Sequence, residues 1–290
     1  MQLGVVFPQL DIGPDPGAIR AYVAAAEALG YRHLLAFDHV IGANAASRPD
    51  WKGAYQLNDL FHEPFVLFGF LAGICKLELF TGVIILPQRQ TVLLAKQAAE
   101  IDVLAEGRFR LGLGLGWNEV EYEALGESFA NRGIRSEEQI ALLRELFTKP
   151  AVTFRGRWHQ VSDAGINPLP RQRPIPLWLG GRDERQLRRV ARLADGWLVP
   201  PFIKPERDAA DYLARLRGYM AEAGRDPKSL QIEAWIGLRD RTPEQWADAA
   251  RRWRALGATH LSIDTMRSNL PNLDAHIAGI RRFKETIDRL

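Results

Sequence analysis

Asp38-His39, Gly112-Leu113-Gly114-Leu115-Gly116-Trp117-Asn118-Glu119 and Gly180-Gly181-Arg182 are the stretches of this 290-residue chain whose residue types and spacing could do chemistry. An imidazole beside a carboxylate can take up or release a proton near neutrality, although neighbours on a strand point to opposite faces and need not touch. Gly112, Gly114 and Gly116 strip one face of a strand bare, while Leu111, Leu113 and Leu115 keep the other apolar. Such a face admits either a flat ligand against the backbone or crowded packing inside a barrel. A dinucleotide fingerprint would need its third glycine at position 117, where Trp117 stands, so a Rossmann turn is disfavoured. Gly180-Gly181-Arg182 joins an apolar strand to a helix beginning near Asp183, setting backbone amides beside a guanidinium, as an anion site for phosphate requires. The alternative for these glycines is a simple turn that needs positive φ.

Other chemistries find less support. His33, His39, His62, His159, His260 and His276 show no His-x-x-x-His or carboxylate-clustered spacing, so no metal site is predicted. There is no Gly-x-Ser-x-Gly for nucleophilic hydrolysis, and the single cysteine, Cys75, lies in an apolar run that reads as core. At 47% hydrophobic and 25% charged residues the chain has the composition of a folded globular protein. A net charge of +3, with basic residues on helices among acidic neighbours, predicts no nucleic-acid binding. Met1–Pro8 reads as a first strand and not as a signal peptide, so the expected compartment is the cytoplasm, with no membrane attachment.

These residues must be positioned by a repeating framework. Strands are predicted at Leu3–Phe7, His33–Phe37, Leu77–Leu86, Phe109–Leu115, Ile175–Leu179, Gly196–Val199, Gln231–Ile236 and His260–Asp264. Helices are predicted between them at about Pro16–Leu29, Glu63–Cys75, Thr91–Ala105, Ser136–Phe147, Glu184–Ala194, Pro205–Ala223, Pro243–Leu256 and Asn272–Leu290. Eight strand and helix pairs predict an α/β fold, a single (β/α)8 TIM barrel over residues 1–290, with active-site groups at the C-terminal ends of the strands. Two stretches break the alternation. A long polar connection from about Ile41 to His62 reads as a lid or pocket wall, and residues 152–161 read as an extra hairpin before the fifth strand, either capping the mouth or forming an edge ribbon.

Many short motifs recur in one order, including Ala26-Glu27-x-Leu29-Gly30-Tyr31, His62-Glu63-Pro64-Phe65, Thr81-Gly82-Val83-x-Ile85-Leu86-Pro87-Gln88-Arg89 and Gly107-Arg108-Phe109. With Gly114-x-Gly116-Trp117-Asn118-Glu119, Pro176-x-Trp178-Leu179-Gly180-Gly181 and Ala194-Asp195-Gly196-Trp197, the chain resembles the luciferase-like monooxygenase superfamily, specifically its coenzyme F420-dependent branch. The resemblance weakens beyond about Pro201. It implies a luciferase-like barrel holding a deazaflavin, with FMN as the alternative, and hydride transfer to or from a small organic substrate. It further implies a non-proline cis peptide at Gly82–Val83 behind the cofactor ring, Asp38 and His39 at its reactive side, and Gly180, Gly181 and Arg182 at its phosphate. Gly114, Gly116, Trp117 and Asn118 complete the expected cofactor wall.

One departure limits what carries over. Sugar-phosphate dehydrogenases of this group place a proton-donating acid directly after the glycines, where this chain has Trp117 and only later Glu119. His39 and Glu119 are therefore the candidate catalytic residues, and a sugar phosphate is not named as the substrate. A third reading keeps the barrel as a binder of a deazaflavin or another anion without catalysis. The apolar run Phe65–Ile74 exceeds what a helix with one solvated face needs, and relatives pair through this side, so a homodimer is expected.

Overall fold

The computed structural model describes residues 1–239 and 241–290. Strands β1 (Gln2–Val6) and β2 (His33–Ala36) flank helix α1 (Pro16–Ala28), and α2 (Pro64–Ala72) leads to β3 (Glu78–Thr81) and β4 (Ile84–Ile85). Then come α3 (Thr91–Leu104), β5 (Phe109–Gly114), α4 (Glu119–Ala124), α5 (Arg132–Thr148), β6 (Val152–Arg155) and β7 (Gln160–Ala164). The remainder is β8 (Leu177–Gly180), α6 (Glu184–Leu193), β9 (Gly196–Leu198), α7 (Ala209–Glu222), β10 (Gln231–Gly237), α8 (Pro243–Leu256), β11 (His260–Asp264) and α9 (Leu273–Asp288).

All the main-sheet pairings are parallel, in the order β3-β2-β1-β11-β10-β9-β8-β5-β4, and β3 also pairs with β5, which closes the barrel. Leu79 opposite Phe109 is the closing register. Because β3 and β4 share one stave, the barrel has the eight staves that the alternation predicts. Local chemistry agrees at the helix starts. Asp15 and Glu63 accept from Ala18 and Val66 backbone N–H ahead of Pro16 and Pro64, and Thr242 with Gln245 forms a capping box before Pro243.

The structure corrects the sequence reading at several places. The predicted third strand, Leu77–Leu86, is broken by a cis peptide at Gly82–Val83, the bond that the family resemblance implies. A Cβ at Gly82 would lie 2.3 Å from Leu35 Cδ2, so only glycine passes the second strand there. Helix α7 begins at Ala209 and not at Pro205, and the short α4 was not expected. The hairpin forms, but it lies on the outer helices: Glu138 of α5 accepts from the backbone N–H of Arg157, Trp158 and His159, and His159 also bonds Thr91. None of its residues lines the mouth.

The lower barrel is filled by a polar plug. Glu233 accepts from Ser262 Oγ at 2.7 Å and from Arg110 at 3.2 Å and pairs with His33 at 3.0 Å. The Arg110 guanidinium packs over Phe80 and Trp178. Burial alone would raise the Glu233 carboxyl, but His33 and Arg110 outweigh it and hold the group down at about 2. Among the described residues, no helix is long and apolar enough to cross a membrane.

Candidate active site

A cavity of about 370 Å³ opens at the C-terminal ends of the strands. Its two sides differ in kind. Val83, Ile85, Gly114, Gly116, Gly180 and Gly181, from neighbouring staves β4, β5 and β8, make a wall of backbone and small side chains. Facing it are Phe37 and His39 after β2, Trp235 of β10, and Tyr55 and Trp117 from loops.

The glycines of β5 divide by depth. A Cβ at Gly112 would lie 1.9 Å from the carbonyl oxygen of Thr81, which is pure packing. At Gly114 it would meet Val83 Cγ2 at 2.4 Å, and Gly116, at φ +69°, would meet Ile85 Cγ2 at 2.7 Å. Both line the cavity, yet their missing side chains make room for Val83 and Ile85 as well as for a ligand. Packing thus bears on all three glycines, and Gly114, at the end of β5, and Gly116, in the turn beyond it, also line the cavity.

His39 is the centre of the opposite side. Its Nδ1 lies 2.9 Å from Glu121 Oε1, which also accepts from the Val40 backbone N–H at 3.1 Å, while Gln88 Nε2 donates to Oε2 at 3.2 Å. Burial by itself would raise the Glu121 carboxyl, but the bonds from His39, Gln88 and Val40 overcome that and hold it below its ordinary value. An ionised Glu121 can only accept, which assigns a proton to Nδ1 of His39 and leaves the Nε2 lone pair for another partner. Tyr55 and Phe61 pack against the imidazole with ring centroids 4.6 Å away, and Trp117 lies at 5.7 Å.

Asp38 points the other way, as strand alternation requires. Its carboxylate accepts from Ile85 backbone N–H at 3.1 Å and from Arg89 at 2.8 Å, and Arg89 also holds Glu63 at 2.9 Å. It thereby pins the chain just past Gly82–Val83 and supports the backbone wall. Burial pushes its carboxyl up, against the pull of Arg89.

Three expected site residues sit elsewhere. Glu119 is exposed and faces a separate surface cavity with Arg48 and Trp51, so it does not meet His39. Asn118 is buried and caps α4 by accepting from Val120 N–H at 3.2 Å. Arg182 is exposed and lies over Phe202 at 4.4 Å, outside the cavity. Gly181, at φ +107°, turns the chain there, and Asp183 caps α6 by accepting from Gln186 N–H at 3.1 Å. The turn explanation for these glycines is thus met, while Gly180 and Gly181 still line the cavity. Glu121, Tyr55, Phe37 and Trp235 are the cavity-side residues that the sequence did not single out.

Comparison with known proteins fits this geometry. The chain belongs to the luciferase-like monooxygenase family, whose model matches residues 1–287. An uncharacterized Mycobacterium tuberculosis protein is 30% identical over 276 residues, covering 91% of this chain and 92% of its own length. Among solved structures, monooxygenase RslO1 from Streptomyces bottropensis superposes with a TM-score of 0.80 at 18% identity, covering 100% of this chain and 99% of its own. The coenzyme F420-dependent tetrahydromethanopterin reductase of Methanopyrus kandleri does so at 0.77 and 13% identity, covering 99% and 98%. At these identities the two structures establish the fold.

Proposed function

We propose that this protein is a coenzyme F420-dependent oxidoreductase that exchanges a hydride between the deazaflavin and an organic substrate. The supporting observation is one cavity with a backbone wall on one side and, on the other, a histidine whose second nitrogen is tied to an ionised carboxylate. The residues present fit a flat ring. Its volume of about 370 Å³ lies within the usual span of small-molecule sites, and at Gly180 a side chain would project beside Val83 Cγ1, 3.6 Å away, into space that glycine leaves clear. Gly82, Val83, Gly114 and Gly116 would back the ring, with Trp117 at its rim and Gly180 and Gly181 towards the phosphate-bearing chain. When bound, the group supplies a two-electron donor or acceptor.

The protein handles the rest. A substrate alcohol that gives up a hydride from carbon also loses a proton from oxygen, and His39 takes that proton at Nε2. Glu121 stays ionised and stabilises the resulting imidazolium; in the reverse direction His39 returns the proton. Glu119 and Arg182 are assigned no part. Pairing into a homodimer through α2, where Val66 is 74% exposed, belongs to the same proposal and is read from the mass in solution.

The second reading is an FMN-dependent monooxygenase, favoured by the likeness to RslO1, itself a monooxygenase. Anaerobic turnover separates the two. Reduction of added F420 by members of an alcohol panel, absent in His39→Ala, is the expected result. Turnover only with FMN and oxygen would replace the first reading by the second.

A further inference from the structure

We propose that the substrate of this cavity is a neutral, planar molecule of aromatic or conjugated character, held by the wall opposite the glycines. The inference rests on the reading that the backbone wall takes the cofactor, and it concerns what remains. Phe37, just after β2, and Trp235 of β10 stack on each other with centroids 5.4 Å apart and planes at 30°, which leaves their outer faces to a ligand. Tyr55 and Trp117, 6.4 Å apart at 37°, line the same cavity. Faces of this kind favour offset stacking with another flat π-system.

Charge narrows the class further. No lysine or arginine is among the residues that line the cavity, and its ionisable members are Asp38, His39, Tyr55 and Asp183. Among neighbouring cations, Arg89 is engaged by Asp38 and Glu63, Arg189 by Glu137 and Gln186, and Arg267 by Asp59 at 3.0 Å, while Arg182 lies outside the cavity over Phe202 at 4.4 Å. A carboxylate or phosphate on the substrate would enter without a counterion, next to His39 backed by ionised Glu121, and would lose its hydration uncompensated. A cation finds no buried anchor either, since Asp38 already holds Arg89, Glu121 is enclosed by His39, Gln88 and Val40, and Asp183 is exposed and caps α6. The polar groups left for the substrate are His39 Nε2, the buried Trp235 Nε1, which has no partner, and the Tyr55 hydroxyl, and these match a hydroxyl or carbonyl on an otherwise apolar plane.

The test is isothermal titration of the purified protein, alone and saturated with cofactor, using naphthylmethanol, naphthoate, naphthylmethylammonium and the saturated alcohol decahydronaphthylmethanol. Naphthylmethanol should bind roughly tenfold tighter than either ion and at least about threefold tighter than the saturated alcohol. Trp235→Leu and Tyr55→Leu should each weaken naphthylmethanol about tenfold and leave the cofactor dissociation constant within about twofold. Tyr55 lies on a loop, so its variant keeps the test open should Trp235→Leu fail to fold. Equal or tighter binding of an ion or of the saturated alcohol, or no binding of any probe, overturns the proposal. Cofactor binding is titrated separately: failure there removes the cofactor reading, while the probe series on cofactor-free protein still decides the substrate class.

Discussion

Replacing Glu121 by glutamine is the perturbation whose size follows most directly from the structure. The carboxylate accepts three bonds, two at Oε1 from His39 and Val40 and one at Oε2 from Gln88. Glutamine keeps the shape and can keep its carbonyl towards His39 and Val40, with Gln88 turning its own amide to accept the new NH2. What disappears is the charge. A hydrogen bond to a charged group contributes about 1.5–3 kcal/mol and a neutral one about 0.5–1.5, so the variant forfeits about 1–2 kcal/mol of support for a protonated His39. That corresponds to a loss in kcat/KM of about five- to thirtyfold. The assay is initial rate with any alcohol that the panel turns over, with cofactor affinity measured in parallel by fluorescence quenching and expected to stay within about twofold. His39→Ala should cost about 10²–10⁴ in kcat, and adding Glu121→Gln to it should cost nothing more, because the carboxylate acts through the imidazole. Unchanged kinetics in Glu121→Gln, or an undiminished effect on the His39→Ala background, would refute the positioning argument.

Other expectations follow from the same coordinates. Glu233 drops from 4.5 to about 2 on folding, which at about 1.4 kcal/mol per pH unit is about 3 kcal/mol. A depressed carboxyl contributes this stability above pH 4.5 and loses it as the pH falls towards 2, so urea midpoints should fall across that window; Glu233→Gln should show a shallower dependence, since Glu121, Glu138 and Asp208 are depressed too, and be destabilised at pH 7, and a variant as stable as the parent would contradict it. Gly114→Ala should cost about 1–3 kcal/mol by driving Cβ against Val83, with Val83→Ala restoring part of it; unchanged melting with lost cofactor binding would instead reserve the glycine for the ligand. Arg182→Ala should change cofactor affinity by less than about threefold, since its guanidinium lies over Phe202 outside the cavity; a loss of about tenfold or more would return it to the site.

The barrel was legible because hydrophobic runs and helix starts alternate eight times, and several starts, those of α1, α2 and α8 among them, carry both a capping side chain and a proline. Gly112 and Gly114 were legible from the period of a strand, whereas Gly116 lies past the end of β5 at φ +69°. Glu121 was not: Glu119, Glu121 and Glu123 recur every second residue, and only the phase of α4 set by its Asn118 cap decides which carboxylate turns to His39. Arg182 misled for a related reason, since the positive φ at Gly181 and the Asp183 cap turn the chain away from the cavity. Tyr55 and Trp235 approach the mouth from segments about 180 positions apart in the sequence, so only barrel closure shows them on one wall. The hairpin's existence could be read from alternation, but its resting place depends on one distant carboxylate, Glu138.

Titration of the purified protein with F420 and, separately, with FMN tests the central claim most directly. Saturable binding of F420 at one site per chain, with FMN binding at least about tenfold weaker, is the predicted result. Tight binding of FMN with none for the deazaflavin would contradict it.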